Sequence, residues 1–187
     1  MQEEGQAIIA QGATPNRLRA VLYEIDFALL VEHVSQEKWA ACEQQIAAAA
    51  QAVRAAGADF LVVTSNTGAT LAGRAREETT LPLLDIVSIT VAELKAATCR
   101  CAGLMSTGRT DRSGVYHRAA AAAGINIVSP PPELAEAIQE IIVKELIHGR
   151  VSASGLATVS AVAAYFASKG VDSLVLGCTD MTHLAIN

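Results

Sequence analysis

The chain has 187 residues, 51% of them hydrophobic and 4% aromatic, with a net charge of −5. That length allows one or two small domains, and that apolar content excludes a disordered chain. The acidic balance, with a pI near 5.3, excludes non-specific nucleic-acid binding, which needs a basic surface.

The four cysteines, Cys42, Cys99, Cys101 and Cys178, are too sparse for a disulfide framework. The N-terminus, Met-Gln-Glu-Glu-Gly-Gln, is acidic and polar, unlike a signal peptide. The apolar stretches, such as residues 46–57, are alanine-rich and interrupted by charge, so none reads as a membrane span. These features predict a reduced, cytoplasmic protein with no membrane and no nucleic-acid partner.

In chain order, residues 1–17 give little signal. Residues 18–26 (LRAVLYEID) predict a strand with a charged end. Residues 36–56 predict a long helix, with apolar and Ala positions recurring at three and four and Gly57 as the stop. Residues 59–64 are continuous and rich in β-branched types, which predicts a buried strand. A helix weakened by Gly68 and Gly73 follows over 67–77, then a strand over 81–86 and a helix over 88–97. The second half repeats the rhythm. Strands are expected at 101–105, 125–128 and 171–176, and helices at 113–123, 133–148 and 158–169, with Gly124, Gly149 and Gly170 as stops. Strands alternating with helices predict parallel sheets covered by helices. Ala-Gly-Ala-Asp-Phe-Leu-Val-Val in one half matches Lys-Gly-Val-Asp-Ser-Leu-Val-Leu in the other. A boundary near 93–99 therefore predicts two similar three-layer α/β units, residues 1–95 and 96–187.

Two strand ends stand out: Phe60-Leu-Val-Val-Thr-Ser-Asn-Thr67 and Ser173-Leu-Val-Leu-Gly-Cys-Thr-Asp180. In open parallel α/β sheets, ligands bind just beyond the carboxyl ends of strands. One loop presents Ser65, Asn66 and Thr67, and the other presents Cys178, Thr179 and Asp180. A hydroxyl and a thiol facing each other across a small acid suit proton transfer. The blander readings stand beside this one. A lone Cys is usually packing, and Ser, Asn and Thr all cap helices. Their joint position at two strand ends favours the ligand reading. Cys99-x-Cys101 lacks a second Cys/His pair, so no metal is expected. Residues 68–73 lack the Lys-Ser/Thr of a phosphate loop. His33, His117 and His148 read as surface or capping residues, and His183 as an exposed helical one.

At these residues the chain resembles the aspartate/glutamate racemase superfamily, in its broad-specificity amino-acid racemase branch. The resemblance is carried by Asp26-Phe27, Trp39, Gly57-Ala-Asp-Phe60, Ser65-Asn-Thr67 and Pro82-Leu-Leu-Asp-Ile86. It continues through Ser106-Thr107, Thr110, Tyr116, Glu145-Leu-Ile-His-Gly149 and Leu176-Gly-Cys-Thr-Asp180. It implies two pseudo-symmetric α/β domains with the substrate site between them, no cofactor, a small amino acid or related carboxylate as substrate, and a homodimer. It also implies Ser65 and Cys178 as the catalytic pair, with Asn66, Thr67, Thr107 and Thr179 holding the substrate. Ser65 stands where many members have Cys, Ala69 where His often follows, Asp85 where His is frequent, and Asp180 where Glu is usual. Against the family pattern, the chain is expected to lack the opening strand with its Gly-Gly-Met loop and the final strand and helix.

The chemistry fits two opposed acid/base groups, since racemisation removes the α-proton from one face and returns one to the other. A thiol before a helix start is expected to titrate low and reach partial thiolate. Ser65 resists ionisation and needs a neighbour to take its proton, for which Asp85 and Asp26 are the candidates. The expectation is an asymmetric pair with Cys178 the stronger base. The competing class is a non-catalytic small-carboxylate binder or inactive paralogue. The same scaffold also resembles decarboxylases, hydantoin racemases and maleate isomerases.

Overall fold

The computed structural model describes residues 19–185. Helix α1 (Phe27–Ser35) begins where Asp26 accepts from the backbone N–H of Leu29 at 3.0 Å. Helix α2 (Trp39–Ala55) follows after Glu37, which sits at φ 54° and separates the two. The expected helix over 36–56 therefore starts three residues late. Next come β1 (Leu61–Val62), α3 (Asn66–Ala69), α4 (Gly73–Thr79), β2 (Leu83–Leu84) and α5 (Ile86–Ala96). The second half contains β3 (Cys101–Ser106), α6 (Gly108–Ser113), α7 (Val115–Ala122), β4 (Asn126–Val128), α8 (Pro132–Lys144), α9 (Ala153–Ser168) and β5 (Ser173–Gly177). Short 3-10 helices cover Leu146–His148 and Thr179–Ala185.

The expected strand over 18–26 is corrected. Leu18 lies outside the described residues, and residues 19–26 form no regular element. No described strand lies beside them to complete a ladder, and Leu22 is 87% exposed. Only Ile25 reaches the core. The expected helix over 67–77 is broken into α3 and α4 between Thr70 and Ala72. That over 113–123 is divided into α6 and α7 by Gly114 at φ 65°. Helix α9 starts five residues early because Ser152 caps it, accepting from the backbone N–H of Gly155 at 3.0 Å. The Glu145 carboxylate in turn accepts from the Ser152 backbone N–H and hydroxyl at 2.6 and 2.9 Å. Both repeats of the Gly-x-Asp pattern turn as expected, with Gly57 at φ 89° and Gly170 at φ 70°. An L side chain is strained there, which is why a helix stops so sharply at glycine.

All strand pairs are parallel. The first sheet pairs Leu61 with Leu83 and Val62 with Leu84. The second has the order β4-β3-β5, with Ala102 opposite Ile127 and Leu104 opposite Val175. Helices cover both faces of the second sheet. On one side Val87, Val91 and Leu94 of α5 and Tyr116 and Ala120 of α7 pack on Ala102, Leu104 and Val175. On the other, Ile138, Ile141, Val162 and Phe166 of α8 and α9 pack around Met105. The three-layer arrangement is thus complete there. In the first sheet, Cys42, Ile46 and Ala47 of α2, Ala75 of α4 and Ala72 just before it bury Leu61. The opposite face carries Val62 and Leu84, both about half exposed. Among the described residues only one face of that sheet is covered. No helix of the described residues is long and apolar enough to cross a membrane.

The two halves also touch directly. The Arg109 guanidinium of α6 lies 4.0 Å from the centroid of the Trp39 ring of α2. Arg109 Nε is buried without a hydrogen-bond partner among the described residues, so the ring face is its main compensation. Trp39→Leu keeps apolar bulk and removes the π face. It is expected to lower stability by about 0.5–2 kcal/mol, read as a shift in the urea midpoint at unchanged slope.

Candidate active site

The loop after β1 starts at Ser65, an extended residue (φ −140°) whose hydroxyl accepts from the Gly68 backbone N–H at 3.1 Å. Ser65 is exposed and caps the four-residue α3, so the capping reading holds at this position. The next residue, Asn66, is buried, and its Oδ1 accepts from the Tyr116 hydroxyl at 2.5 Å. Thr67 completes the loop and reaches the other half of the molecule. Its hydroxyl lies 3.0 Å from that of Thr107 and 3.3 Å from that of Thr110.

Thr107 follows β3 and caps α6, accepting from the Thr110 backbone N–H at 3.2 Å. The three threonine hydroxyls form a closed triangle, with Thr107 and Thr110 3.1 Å apart. Beside them, the Gly108 N–H donates to Gln139 Oε1 at 2.8 Å. Strand β5 ends alongside β3, with Gly177 opposite Ser106. A Cβ on Gly177 would come within 2.8 Å of Ser106 Cβ, so glycine allows the two strand ends to close up. Thr107 and Cys178 each follow by one residue the last pair of that register.

Cys178 is 7% exposed, packed in the cluster with Met105 and Met181, and its thiol lies 3.6 Å from Asp180 Oδ2. The expected low-titrating thiol is corrected. Burial pushes the Cys178 thiol above its ordinary value. The backbone N–H of Asp180 pulls it down, and the Asp180 carboxylate pushes it back up. The helix after Cys178 is only a short 3-10 segment, so desolvation outweighs its dipole. Thr179 opens that segment and is exposed, with its carbonyl accepting from the Thr182 hydroxyl at 2.7 Å.

The structure thus joins the loop after β1 to the loop after β3 through Thr67 and Thr107, with Cys178 just past the end of the paired strand β5. Among the described residues it supplies Ser65 with no base. Asp85 is committed to capping α5, accepting from the N–H groups of Val87 and Ser88 and from the Ser88 hydroxyl at 2.5 Å. Asp26 is committed to capping α1. Among the described residues no hydrogen bond joins Ser65 to Cys178.

Two histidines depart from their expected surface role. His117 is half-buried, with Nε2 3.0 Å from the Ser129 hydroxyl, which also donates to Asp111 at 2.5 Å. His33 has a buried Nδ1 without a partner among the described residues. His148 and His183 are exposed as expected. Cys99 donates its thiol proton to Asp172 at 2.9 Å, which ties the strand starts of β3 and β5 together. Tyr116 and Gln139 adjoin the candidate site and are not among the residues expected there. Tyr116 had a signal, its place in the Thr110 to Tyr116 motif. Gln139 had none, being one polar residue on an amphipathic helix.

A cavity of about 390 Å³ adjoins this region, lined by Asn66, Tyr116, Ile86, Thr90, Glu93 and Leu176, among others. It meets the strand-end site only at Asn66. It lies between α5 and the side of β5 turned away from β3.

The sequence pattern of the Asp/Glu/hydantoin racemase family matches residues 6–187. The chain belongs to that family. A Yersinia pestis protein assigned to the Asp/Glu racemases is similar in structure, with 28% identity and a TM-score of 0.82 over 100% of this chain and 81% of that one. An aspartate racemase homologue from Pyrococcus horikoshii shares 23% identity and a TM-score of 0.72 over 99% of this chain and 81% of that one. A Picrophilus torridus aspartate racemase shares the fold more loosely, at 20% identity and a TM-score of 0.56 over 77% of this chain and 58% of that one.

Proposed function

We propose that this protein is a cofactor-independent amino-acid racemase of the aspartate/glutamate type. Cys178 takes and returns the α-proton on one face of a small amino acid, and Ser65 serves the other. Asn66, Thr67, Thr107 and Thr179 hold the substrate carboxylate and amino group. The observation that carries this reading is the threonine seam joining the loops after β1 and β3, beside the strand end that bears Cys178. An amino acid seated on that seam exchanges hydroxyl–hydroxyl contacts for hydroxyl–carboxylate ones, which are stronger. The chain acts in the cytoplasm, as a homodimer.

The test is incubation with a panel of L- and D-amino acids, led by aspartate and glutamate, in deuterated water. Proton NMR follows the α-proton, and chiral chromatography follows inversion. Loss of the α-proton with inversion supports racemisation. A folded preparation that binds such acids without exchange is a carboxylate binder instead.

One observation favours a second reading within the family. Ser65 caps α3, and both candidate bases cap other helices. Protonation from the Cys178 side alone suits a decarboxylase-type reaction, in which a malonate-type acid loses CO2 and the carbanion left behind takes one proton from the thiol; CO2 release with deuterium incorporated on a single face is its signature.

The raised thiol sets the expected pH dependence. Cys178 is protonated in the folded chain at neutral pH. Exchange that depends on its thiolate is expected to climb with pH and show no plateau below about 8.5, the ordinary thiol value. Asp180→Asn removes the nearby charge and is expected to shift that climb to lower pH. A flat profile between pH 6 and 9 removes the thiolate from the mechanism. Stability follows the same sign. The contribution of the neutral buried thiol is complete below the ordinary thiol value, and is lost as pH rises through the folded one.

A further inference from the structure

Tyr116 is the largest of the most deeply buried side chains, 1% exposed. Its ring is anchored in the cluster formed by α5, α7 and the second sheet. Its hydroxyl reaches out of that cluster to Asn66, fifty positions earlier, in the loop after β1. Burial pushes the phenol up, so it stays neutral and keeps its proton to donate. The 2.5 Å contact to Asn66 Oδ1 is at the short end for O–H···O bonds.

An asparagine amide has an acceptor end and a donor end. With Oδ1 held by Tyr116, the donor end is the one left over. Nδ2 of Asn66 makes no hydrogen bond with any described residue and is not among the fully buried unpartnered atoms. Rotating the amide would exchange the O–H···O bond for an N–H···O one. It would also present a carbonyl oxygen where a carboxylate must sit.

We infer that Tyr116 is a positioning residue: its hydroxyl fixes the Asn66 amide so that Nδ2 is offered as a donor to a carboxylate ligand. This rests on Asn66 belonging to the substrate site, as proposed above. Tyr116 itself does not touch substrate. It links the core beneath the second sheet to a loop of the first half, so the polarity of the loop is set from the other half of the chain.

The test combines Tyr116→Phe, Asn66→Asp and Asn66→Ala in the full chain. Side-chain amide NMR reads orientation without needing turnover. In the ligand-free wild type the two Asn66 Nδ2 protons are expected to give separate, sharp signals. In Tyr116→Phe they are expected to shift and broaden, while amides of β4 stay in place. Unchanged Asn66 signals in a folded Tyr116→Phe protein overturn the inference, whatever the activity. In the exchange assay, Tyr116→Phe is expected to raise KM about fivefold to tenfold, the loss of one neutral hydrogen bond. The change in kcat should be less than twofold. In an Asn66→Ala background Tyr116→Phe should add nothing, and an equal further loss there overturns the coupling. Asn66→Asp keeps the acceptor for Tyr116 and removes the donor. It is expected to fold and to lose at least tenfold in KM, and wild-type binding by that variant overturns the donor assignment. If no amino acid is turned over or moves any signal, the racemase reading fails, while the ligand-free signals still decide the role of Tyr116.

Discussion

Cys178→Ala is expected to lower α-proton exchange by about 10²- to 10⁴-fold, the usual worth of a positioned acid/base group. The fold should survive, because only a sulfur is removed from a site where Met105 and Met181 can close in. Ser65→Ala is expected to behave differently. With no base beside it among the described residues, Ser65 can deliver a proton more readily than take one. Its loss should therefore depress inversion more than washout of the α-proton when the reaction begins on the Cys178 side. The measurement is deuterium incorporation and optical inversion in parallel, for both enantiomers. Exchange untouched in Cys178→Ala but abolished in Ser65→Ala would falsify the assignment of the stronger base.

The largest structural effect is expected at Phe166. This ring, 1% exposed, lies on the α8/α9 side of the second sheet, directly over Gly103 of the central strand β3. A Cβ at Gly103 would come within 2.8 Å of the ring, so the missing side chain of one residue is the seat of the other. Phe166→Ala leaves that seat open and is expected to cost about 3–5 kcal/mol. For a domain whose total stability is typically about 5–15 kcal/mol, that is a large fraction. Chemical denaturation monitored by far-UV circular dichroism checks it. A loss below 1 kcal/mol would mean that Ile138, Val162 and Met105 refill the space. The site should suffer too, because Met105 leads through Ser106 into Thr107.

The parallel α/β class was legible because its signals are local. Apolar runs ending at small polar residues, helices closed by Gly57, Gly124 and Gly170, and the repeated Gly-x-Asp pattern all correspond to observed elements, whereas the helix expected over 133–148 ends at Lys144 and Gly149 closes the 3-10 turn after it. The strand expected at 18–26 has the right residues, but a strand exists only with a neighbour, and residues 19–26 have none among the described residues, since pairing is not local. The early start of α9 depends on Glu145 holding Ser152 from seven residues away. At the candidate site, Ser65, Asn66, Thr67 and Cys178 are legible from their strand-end positions, and Thr107 only through the family resemblance. What could not be read was how their neighbours are occupied. That Asp85 caps α5, that Tyr116 holds Asn66, and that burial raises the thiol all depend on packing between distant segments. The low-thiol expectation failed for that reason, since a helix start can be inferred from sequence and desolvation cannot.

Helix α5 runs from Ile86 to Ala96, across the predicted boundary at 95/96, and its apolar residues Val87, Val91 and Leu94 are buried against Ala102, Leu104 and Tyr116 of the second half. The seam in the chain and the seam in the core therefore fall in different places. A chimera grafting a new second half at residue 96 would carry a foreign α5 face against its sheet and uncover native apolar surface. One joined before Asp85 would transplant the helix with its cap and its bed. Recombination between relatives, in the laboratory or in evolution, should tolerate crossovers in the β2–α5 turn far better than in the α5–β3 turn.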